Sequence, residues 1–241
     1  MEPTPIVDAF HNVAETEISR CVDHPFLHQM LEGALPLLDF QEYVVQDAHY
    51  LRSFVVCLNI LATRGVECGN ESLADILLSL AKSIEIAEVD LHTEYLEKWD
   101  ISIDTVDPSM TTLLYTSYVK ATCACESMSE GLVSLLPCFS VYDIVGRSML
   151  MKRREMRALC DSGVSPYDKW IDLYGSSEFE KEVAIFKAVV EVECRKEGKG
   201  AEIYQRHFSL GCKFEYMFWS QTSSFKSMSE GELLFDNKSV L

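Results

Sequence analysis

The sequence lacks the motifs that usually mark nucleotide and metal sites. Its eleven glycines are scattered, and none forms the GxGxxG or GxxxxGKS/T loops that cradle phosphate groups. It contains no HExxH motif, and Glu88 and His92 stand four positions apart, whereas di-iron helical proteins pair Glu with His three positions later. Cys123 and Cys125 are too close together for a zinc-knuckle pair. We therefore predict no metal and no cofactor.

Basic clusters and long apolar runs are also scarce. The formal net charge is -17, and the longest basic run is Lys152–Arg154, which disfavours contact with nucleic acid or an anionic membrane. Residues 1–15 have neither a basic start nor an apolar core, and no stretch approaches the ~18 uninterrupted apolar residues of a membrane span. We expect a soluble, cytoplasmic protein with no nucleic-acid or membrane partner.

The nine cysteines form no disulfide pattern. Their number is odd, their spacing is irregular, and a chain of 241 residues can bury a core without cross-links. We expect most of them to be reduced thiols, buried as small apolar side chains.

Hairpin signals are absent, and apolar residues recur with helical spacing along the chain. We predict six to eight helices in an all-α, single-domain helical bundle over residues 1–222, followed by a polar tail over 223–241. The clearest helix covers about 40–63, with Asp39 as its cap and Glu42 completing a capping box. The other helices are predicted over about 70–99, from Asp107-Pro108 to about 123, and over about 127–156, 166–173, 177–196 and 200–221.

Asp47 lies within an aromatic stripe of the first long helix. Tyr43, Tyr50 and Phe54 share its helical face, and the helix is apolar nearly all round, which predicts burial. A buried carboxylate needs a charged or hydrogen-bonding partner, or else a functional role. The alternative is an exposed face on which Asp47 is simply solvated.

Cys138 and Glu215 are the other candidates for chemistry. Pro137 should kink or break its helix just before Cys138, and the free N–H groups of such a break would favour a thiolate. The competing interpretation is an inert buried thiol. Glu215 lies among aromatic residues, and burial would raise its pKa and suit it to proton transfer near neutral pH. A glutamate that points to solvent is equally compatible with the spacing.

Seven blocks of the sequence stand out together and in order: His24-Pro25-Phe26, 33–36, 40–51, Tyr115-Thr116-Ser117, 136–146, 167–175 and 214–219. They resemble the TenA family, also called thiaminase II. The resemblance covers about residues 5–222 and implies a heme-oxygenase-like helical fold and a homotetramer. It also implies salvage of the pyrimidine part of thiamine: 4-amino-5-aminomethyl-2-methylpyrimidine is hydrolysed to the hydroxymethyl compound and ammonia, and thiamine is cleaved more slowly.

The resemblance also implies roles for matching residues. Cys138 takes the position of the nucleophile, Asp47 that of the carboxylate that binds the pyrimidine edge, and Glu215 that of the general acid or base. The matching tyrosines, which would stack on the ring or position the catalytic groups, are Tyr50, Tyr115, Tyr142 and Tyr174; Tyr43, from the aromatic stripe, is a further candidate for substrate binding.

Two other functions are compatible with the same fold. The first is a heme-oxygenase-like or quinone-cofactor enzyme, although no histidine stands convincingly alone on the core face of the first helix. The second is a non-catalytic protein that binds thiamine or its pyrimidine. Such a binding protein would need Asp47 to read the ring but would have no use for the Cys138 thiol.

Overall fold

The computed structural model describes residues 5–159 and 165–227, apart from the side chains of 87–91 and 159. Within these ranges the chain forms ten α-helices, one short 3-10 helix and no β-strand. The all-α prediction is confirmed, and three short helices before residue 37 raise the number above the predicted six to eight. The α-helices are α1 (Ile6–Val13), α2 (Glu15–Val22), α3 (Pro25–Glu32), α4 (Leu37–Glu67), α5 (Glu71–Lys98), α6 (Met110–Cys125), α7 (Met128–Leu159), α8 (Asp168–Tyr174), α9 (Ser177–Glu197) and α10 (Ala201–Ser220).

The start of α4 differs from the prediction. The helix begins at Leu37, so Asp39 lies in its first turn and is not its cap. The Asp39 carboxylate instead accepts hydrogen bonds from the backbone N–H and the hydroxyl of Ser224, at 2.9 and 2.6 Å. Glu42 accepts two bonds from Ser223 in the same way. The predicted capping box is therefore wrong, because these acids are already engaged by the chain that follows α10.

The first residues of the predicted polar tail pack against the helical body. Phe225 is buried, and its ring lies 5.8 Å from that of His24 and 5.9 Å from that of Phe26. Residues 228–241, which make up the rest of the predicted tail, lie outside the described residues.

The caps of the next two long helices are Asn70 and Ser109, and the second differs from the predicted cap. Helix α5 begins at Glu71, close to the predicted start, and Asn70 caps it, since its side chain accepts from the backbone N–H of Leu73. Helix α6 is capped by Ser109, whose hydroxyl accepts from the N–H of Thr112 at 3.1 Å. Asp107 therefore lies outside the helix, two residues before the true cap.

Helix α7 runs through Pro137 without a break. Of the kink or break predicted before Cys138, the break is therefore wrong, and no local helix start supplies free N–H groups to the thiol. A kink stays a prediction. Pro137 instead meets α10 at Gly211, where an added Cβ would lie 2.3 Å from Cγ of the proline. Helix α7 is long and apolar enough to cross a membrane, but 83% of its most apolar window is buried within the protein, as in a core helix.

The helices are arranged so that five of them contribute to one interior region. Helix α4 packs along α5 and α6, and α7 packs along α9 and α10. Asp47 is carried by α4, Tyr115 by α6, Cys138 and Tyr142 by α7, Tyr174 by α8, and Glu215 by α10. All of these except Cys138, which is partly buried, are buried in the core.

Candidate active site

A small cavity of about 10 Å³ lies between α4, α5, α7, α8 and α9. It brings together four of the residues singled out from the sequence, namely Asp47, Cys138, Tyr142 and Tyr174. Cys138 is partly exposed, whereas the Asp47 side chain is almost fully enclosed. The remaining lining residues are apolar: Leu51, Phe54, Ile84, Phe139 and Phe179.

The Tyr43 hydroxyl connects Asp47 to two other buried side chains. It lies 3.2 Å from Oδ2 of Asp47, 3.1 Å from the hydroxyl of Tyr142 and 3.1 Å from Nε1 of Trp170. The indole can only donate, and a phenol has one hydrogen, which Tyr43 gives to the carboxylate. Tyr142 must then donate to Tyr43, which leaves the oxygen of Tyr142 as an acceptor towards its other neighbours.

Asp47 has a second close neighbour that sequence reasoning missed. Nε2 of His92, on α5, lies 3.0 Å from Oδ2 of Asp47, and the imidazole is 3% exposed. The pair is at ion-pair distance without hydrogen-bond alignment, and neither ring nitrogen has a hydrogen-bond partner among the described residues. The helical pattern of α5 could not reveal this contact, because it depends on how α5 packs against α4.

Glu215 occupies a different environment from Asp47. Its carboxylate is 1% exposed and accepts a 2.6 Å hydrogen bond from the Tyr115 hydroxyl. Burial raises the pKa of Glu215 to about 8, with a smaller contribution from the charge of Asp47, and the bond from Tyr115 offsets only part of the rise. At neutral pH the group therefore carries a proton, as the burial predicted from its aromatic neighbours requires.

The candidate tyrosines form two aromatic walls beside these groups. Tyr50 packs against Tyr115 with ring centroids 4.8 Å apart, and its buried hydroxyl has no partner of hydrogen-bond geometry among the described residues. Tyr142 and Tyr174 form the other wall, also with centroids 4.8 Å apart. Burial raises the pKa of Tyr50, Tyr115 and Tyr142 well above the usual value of 10, so these phenols stay neutral.

Cys138 differs from the buried cysteines of the chain. All eight described cysteines are free thiols, and five of them, at positions 21, 57, 123, 194 and 212, are buried in the core. Burial raises the pKa of Cys194 to about 12 and that of Cys212 well above 9, which makes both thiols inert. Cys138 is only partly buried and lines a cavity with a carboxylate. No group of three or more potential metal ligands occurs among the described residues.

The fold and this site together define an all-α protein of the heme-oxygenase-like class, with a thiol and two unlike carboxylates enclosed by tyrosines. A solved structure described as a TenA homologue from P. horikoshii OT3 superposes with a TM-score of 0.78 at 26% identity, covering 90% of this chain and 97% of the other. The chain belongs to the TENA/THI-4/PQQC family, whose sequence model matches residues 11–225.

Two relatives carry the same functional name. An aminopyrimidine aminohydrolase from Bacillus subtilis is 29% identical over 202 residues, which cover 81% of this chain and 80% of the relative. Another from Halalkalibacterium halodurans is 30% identical over 162 residues, which cover 66% of this chain and 68% of the relative.

Proposed function

We propose that the protein is a hydrolase of the thiaminase II type that acts as an aminopyrimidine aminohydrolase. Its substrate would be 4-amino-5-aminomethyl-2-methylpyrimidine, converted to the hydroxymethyl compound and ammonia, with thiamine cleaved more slowly. The observation that carries the proposal is that Cys138 and Asp47 line one cavity with Tyr142 and Tyr174, and that protonated Glu215 lies near enough to Asp47 for that carboxylate to raise its pKa. The names of the two relatives support the same activity.

Substrate recognition follows from the shape and edge of an aminopyrimidine. A flat aromatic ring needs aromatic walls, which Tyr50, Tyr115, Tyr142 and Tyr174 provide. Its exocyclic amine and adjacent ring nitrogen form an edge that a carboxylate can read with both oxygens, and Asp47 is the carboxylate that lines the cavity. Tyr43, also predicted to bind substrate, would act indirectly, since its hydroxyl holds Asp47.

Catalysis would proceed by covalent addition and elimination. The Cys138 thiolate adds to a carbon of the pyrimidine ring, and protonated Glu215 gives its proton to the leaving amine, which departs as ammonia from the methylene carbon. Water adds to that methylene and returns a proton to Glu215. Expulsion of the thiolate breaks the carbon–sulfur bond and restores the aromatic ring. Glu215 is suited to the acid role because its pKa of about 8 keeps the proton available at neutral pH.

Ammonia release by the purified protein, without added metal, is the direct test. Cys138→Ala should abolish turnover of the aminomethylpyrimidine, because no other partly exposed thiol lines the cavity. Cys125→Ala, which removes an exposed thiol on α6, is the matched control and should behave as wild type. Wild-type turnover in Cys138→Ala would remove the nucleophile from the proposal. Pyrimidine binding by the wild type without any product would favour a non-catalytic binding protein.

We further propose that the enzyme is a cytoplasmic homotetramer serving thiamine salvage. Apolar side chains exposed along α5 and α9, including Ile76, Ile185 and Val192, line an open groove suited to contact between subunits. Light scattering on the purified protein should give four times the 27.3 kDa chain mass. A monomer at working concentrations would contradict this assembly.

A further inference from the structure

Trp170 of α8 is a buried residue to which the proposed chemistry gives no role. Its side chain is 1% exposed, and it does not line the cavity. The indole nevertheless reaches the site, because its Nε1–H donates to the Tyr43 hydroxyl at 3.1 Å. An indole N–H can only donate. The direction of this hydrogen bond is therefore the same whichever way the neighbouring phenol hydrogens point.

The Tyr43 hydroxyl is the point at which Trp170 meets groups that border the cavity. The same oxygen lies 3.2 Å from Oδ2 of Asp47 and 3.1 Å from the hydroxyl of Tyr142. Both of those residues line the cavity, whereas Tyr43 does not and is fully buried. Through one hydroxyl group, Trp170 thus holds the position of a carboxylate and a phenol that line the cavity.

The indole ring also supports an aromatic wall of the cavity. Its centroid lies 4.7 Å from that of Tyr174 and 5.9 Å from that of Tyr142. These two tyrosines pack against each other and line the cavity, and Trp170 lies behind them. Trp170 therefore contacts both the tyrosine wall and the hydroxyl that holds the carboxylate.

The short helix α8 is fixed to α7 at both of its ends. At its start, Arg153 of α7 donates to the backbone oxygen and the carboxylate of Asp168, at 3.1 and 2.9 Å. At its end, the backbone of Tyr174 packs against Gly146 of α7 so closely that it leaves no room for a Cβ at position 146. Neither contact involves Trp170, so α7 independently fixes the place from which the indole N–H donates.

We propose that Trp170 is a positioning residue that sets the selectivity of the site for rings with an amino edge. In the proposed function, on which this inference rests, Asp47 reads the exocyclic amine and the adjacent ring nitrogen, so both of its oxygens must keep their places. The bond from Trp170 holds the Tyr43 hydroxyl at Asp47, and successive hydrogen bonds of this kind reinforce one another. Loss of the indole donor should therefore reduce the preference for an aminopyrimidine over the same ring without its amine.

Two ligands separate selectivity from general support of the wall. The first is 4-amino-5-hydroxymethyl-2-methylpyrimidine, the proposed product, and the second is the same compound with hydrogen in place of the exocyclic amine. Calorimetric titration gives a Kd for each, and the ratio of the two measures how well the site reads the amino edge. Trp170→Phe keeps an aromatic ring but loses the donor, so the preference should fall roughly 3- to 10-fold, as expected for one lost hydrogen bond.

Two further variants separate the lost donor from a folding defect. Replacement of Trp170 by benzothienylalanine puts sulfur in place of the N–H and keeps the size of the ring, so the preference should fall by the same factor without a loss of packing. Tyr43→Phe removes the hydroxyl through which Trp170 is proposed to act. In that background Trp170→Phe should lower the preference no further, because both changes remove the same interaction.

Trp219 offers the matched control. It is a second fully buried indole against Tyr142, with ring centroids 5.4 Å apart, and its Nε1 has no hydrogen-bond partner among the described residues. Trp219→Phe should weaken the binding of both ligands alike and leave the preference unchanged. If both Trp170 variants also weaken the two ligands alike, the indole only supports the wall, and the inference is overturned even though turnover stands. If the wild type binds neither ligand and releases no ammonia from the aminomethylpyrimidine, the proposed function fails and this inference fails with it.

Discussion

Two buried glutamates at opposite ends of their helices show how differently one residue type is used. Glu215 is 1% exposed and has a single phenol donor, and burial raises its pKa to about 8. Glu130, in the first turn of α7, is also buried. Burial alone would raise its pKa too, but bonds from Lys199, Ser127 and His207 outweigh it and lower the pKa to about 2.

The comparison teaches that burial alone does not make a carboxyl group reactive. The number of hydrogen-bond donors decides whether the group is reactive. A carboxylate with several donors is fixed in one protonation state, whereas one with few donors can exchange its proton near neutral pH. Glu130 ties the start of α7 to α10 and the segment before it. Glu215 has one donor, Tyr115, and lies near a second carboxylate, Asp47, so its proton is available for transfer near neutral pH.

We expect the largest effect at Glu215, the glutamate with a single hydrogen-bond donor. Glu215→Gln removes the proton donor, so kcat for the aminopyrimidine should fall by roughly 10²- to 10⁴-fold. The folded-state pKa is raised from 4.5 to about 8, so the contribution of Glu215 to the free energy of unfolding is complete below pH 4.5 and is lost as the pH rises through 8. Urea unfolding at pH 6 and pH 9 should show that the variant loses less unfolding free energy between these two pH values than the wild type does. An unchanged kcat would end the acid assignment.

Glu130→Gln should give the opposite pattern. The folded-state pKa is lowered from 4.5 to about 2, so this group stabilises the protein above pH 4.5 and loses its contribution as the pH falls towards 2. The variant should have a lower free energy of unfolding than the wild type at pH 7, since the bonds from Lys199, Ser127 and His207 lose their charged acceptor. Its kcat below the unfolding temperature should match wild type. A drop in kcat comparable to that of Glu215→Gln would contradict the division between the two sites.

The smallest expected effect comes from the one donor that Glu215 has. Tyr115→Phe removes the 2.6 Å bond that stabilises the ionised form, so the pKa of Glu215 should rise further. The alkaline limb of the kcat/KM profile, near pH 8 in the wild type, should move upwards by roughly one pH unit. Tyr118→Phe, three residues along α6 and bonded to His207 instead, is the control and should leave the limb in place. A downward shift would show that Tyr115 acts on Glu215 in another way.

Local sequence patterns predicted the long helices well, because apolar periodicity is a pattern that repeats within a few residues. These patterns failed where residues far away in the sequence contact the helix. Asp39 has the spacing of a cap, yet Ser224 donates to its carboxylate. Pro137, predicted to kink or break its helix, lies within a continuous helix and contacts Gly211 of α10. Both outcomes depend on contacts between residues far apart in the sequence.

The candidate site shows the same difference between features that follow from local sequence and features that depend on distant contacts. Asp47, Cys138 and Glu215 were found from their neighbours along the chain and from the family blocks. His92 and Trp170 were given no role, because each touches the site through a single polar atom whose partner lies on another helix. Only the pairing of α5 with α4, and of α8 with α7, brings these atoms within reach of Asp47 and Tyr43.

The contact between Gly211 and Pro137 sets a spacing between two distant parts of the chain. Gly211 precedes Glu215 by one helical turn, and Pro137 is the residue before Cys138. This close contact therefore fixes the distance between the helix that carries the acid and the helix that carries the thiol. Any side chain at position 211 would push α7 and α10 apart, and it would increase the distance between Cys138 and Glu215 over which the proposed chemistry must occur.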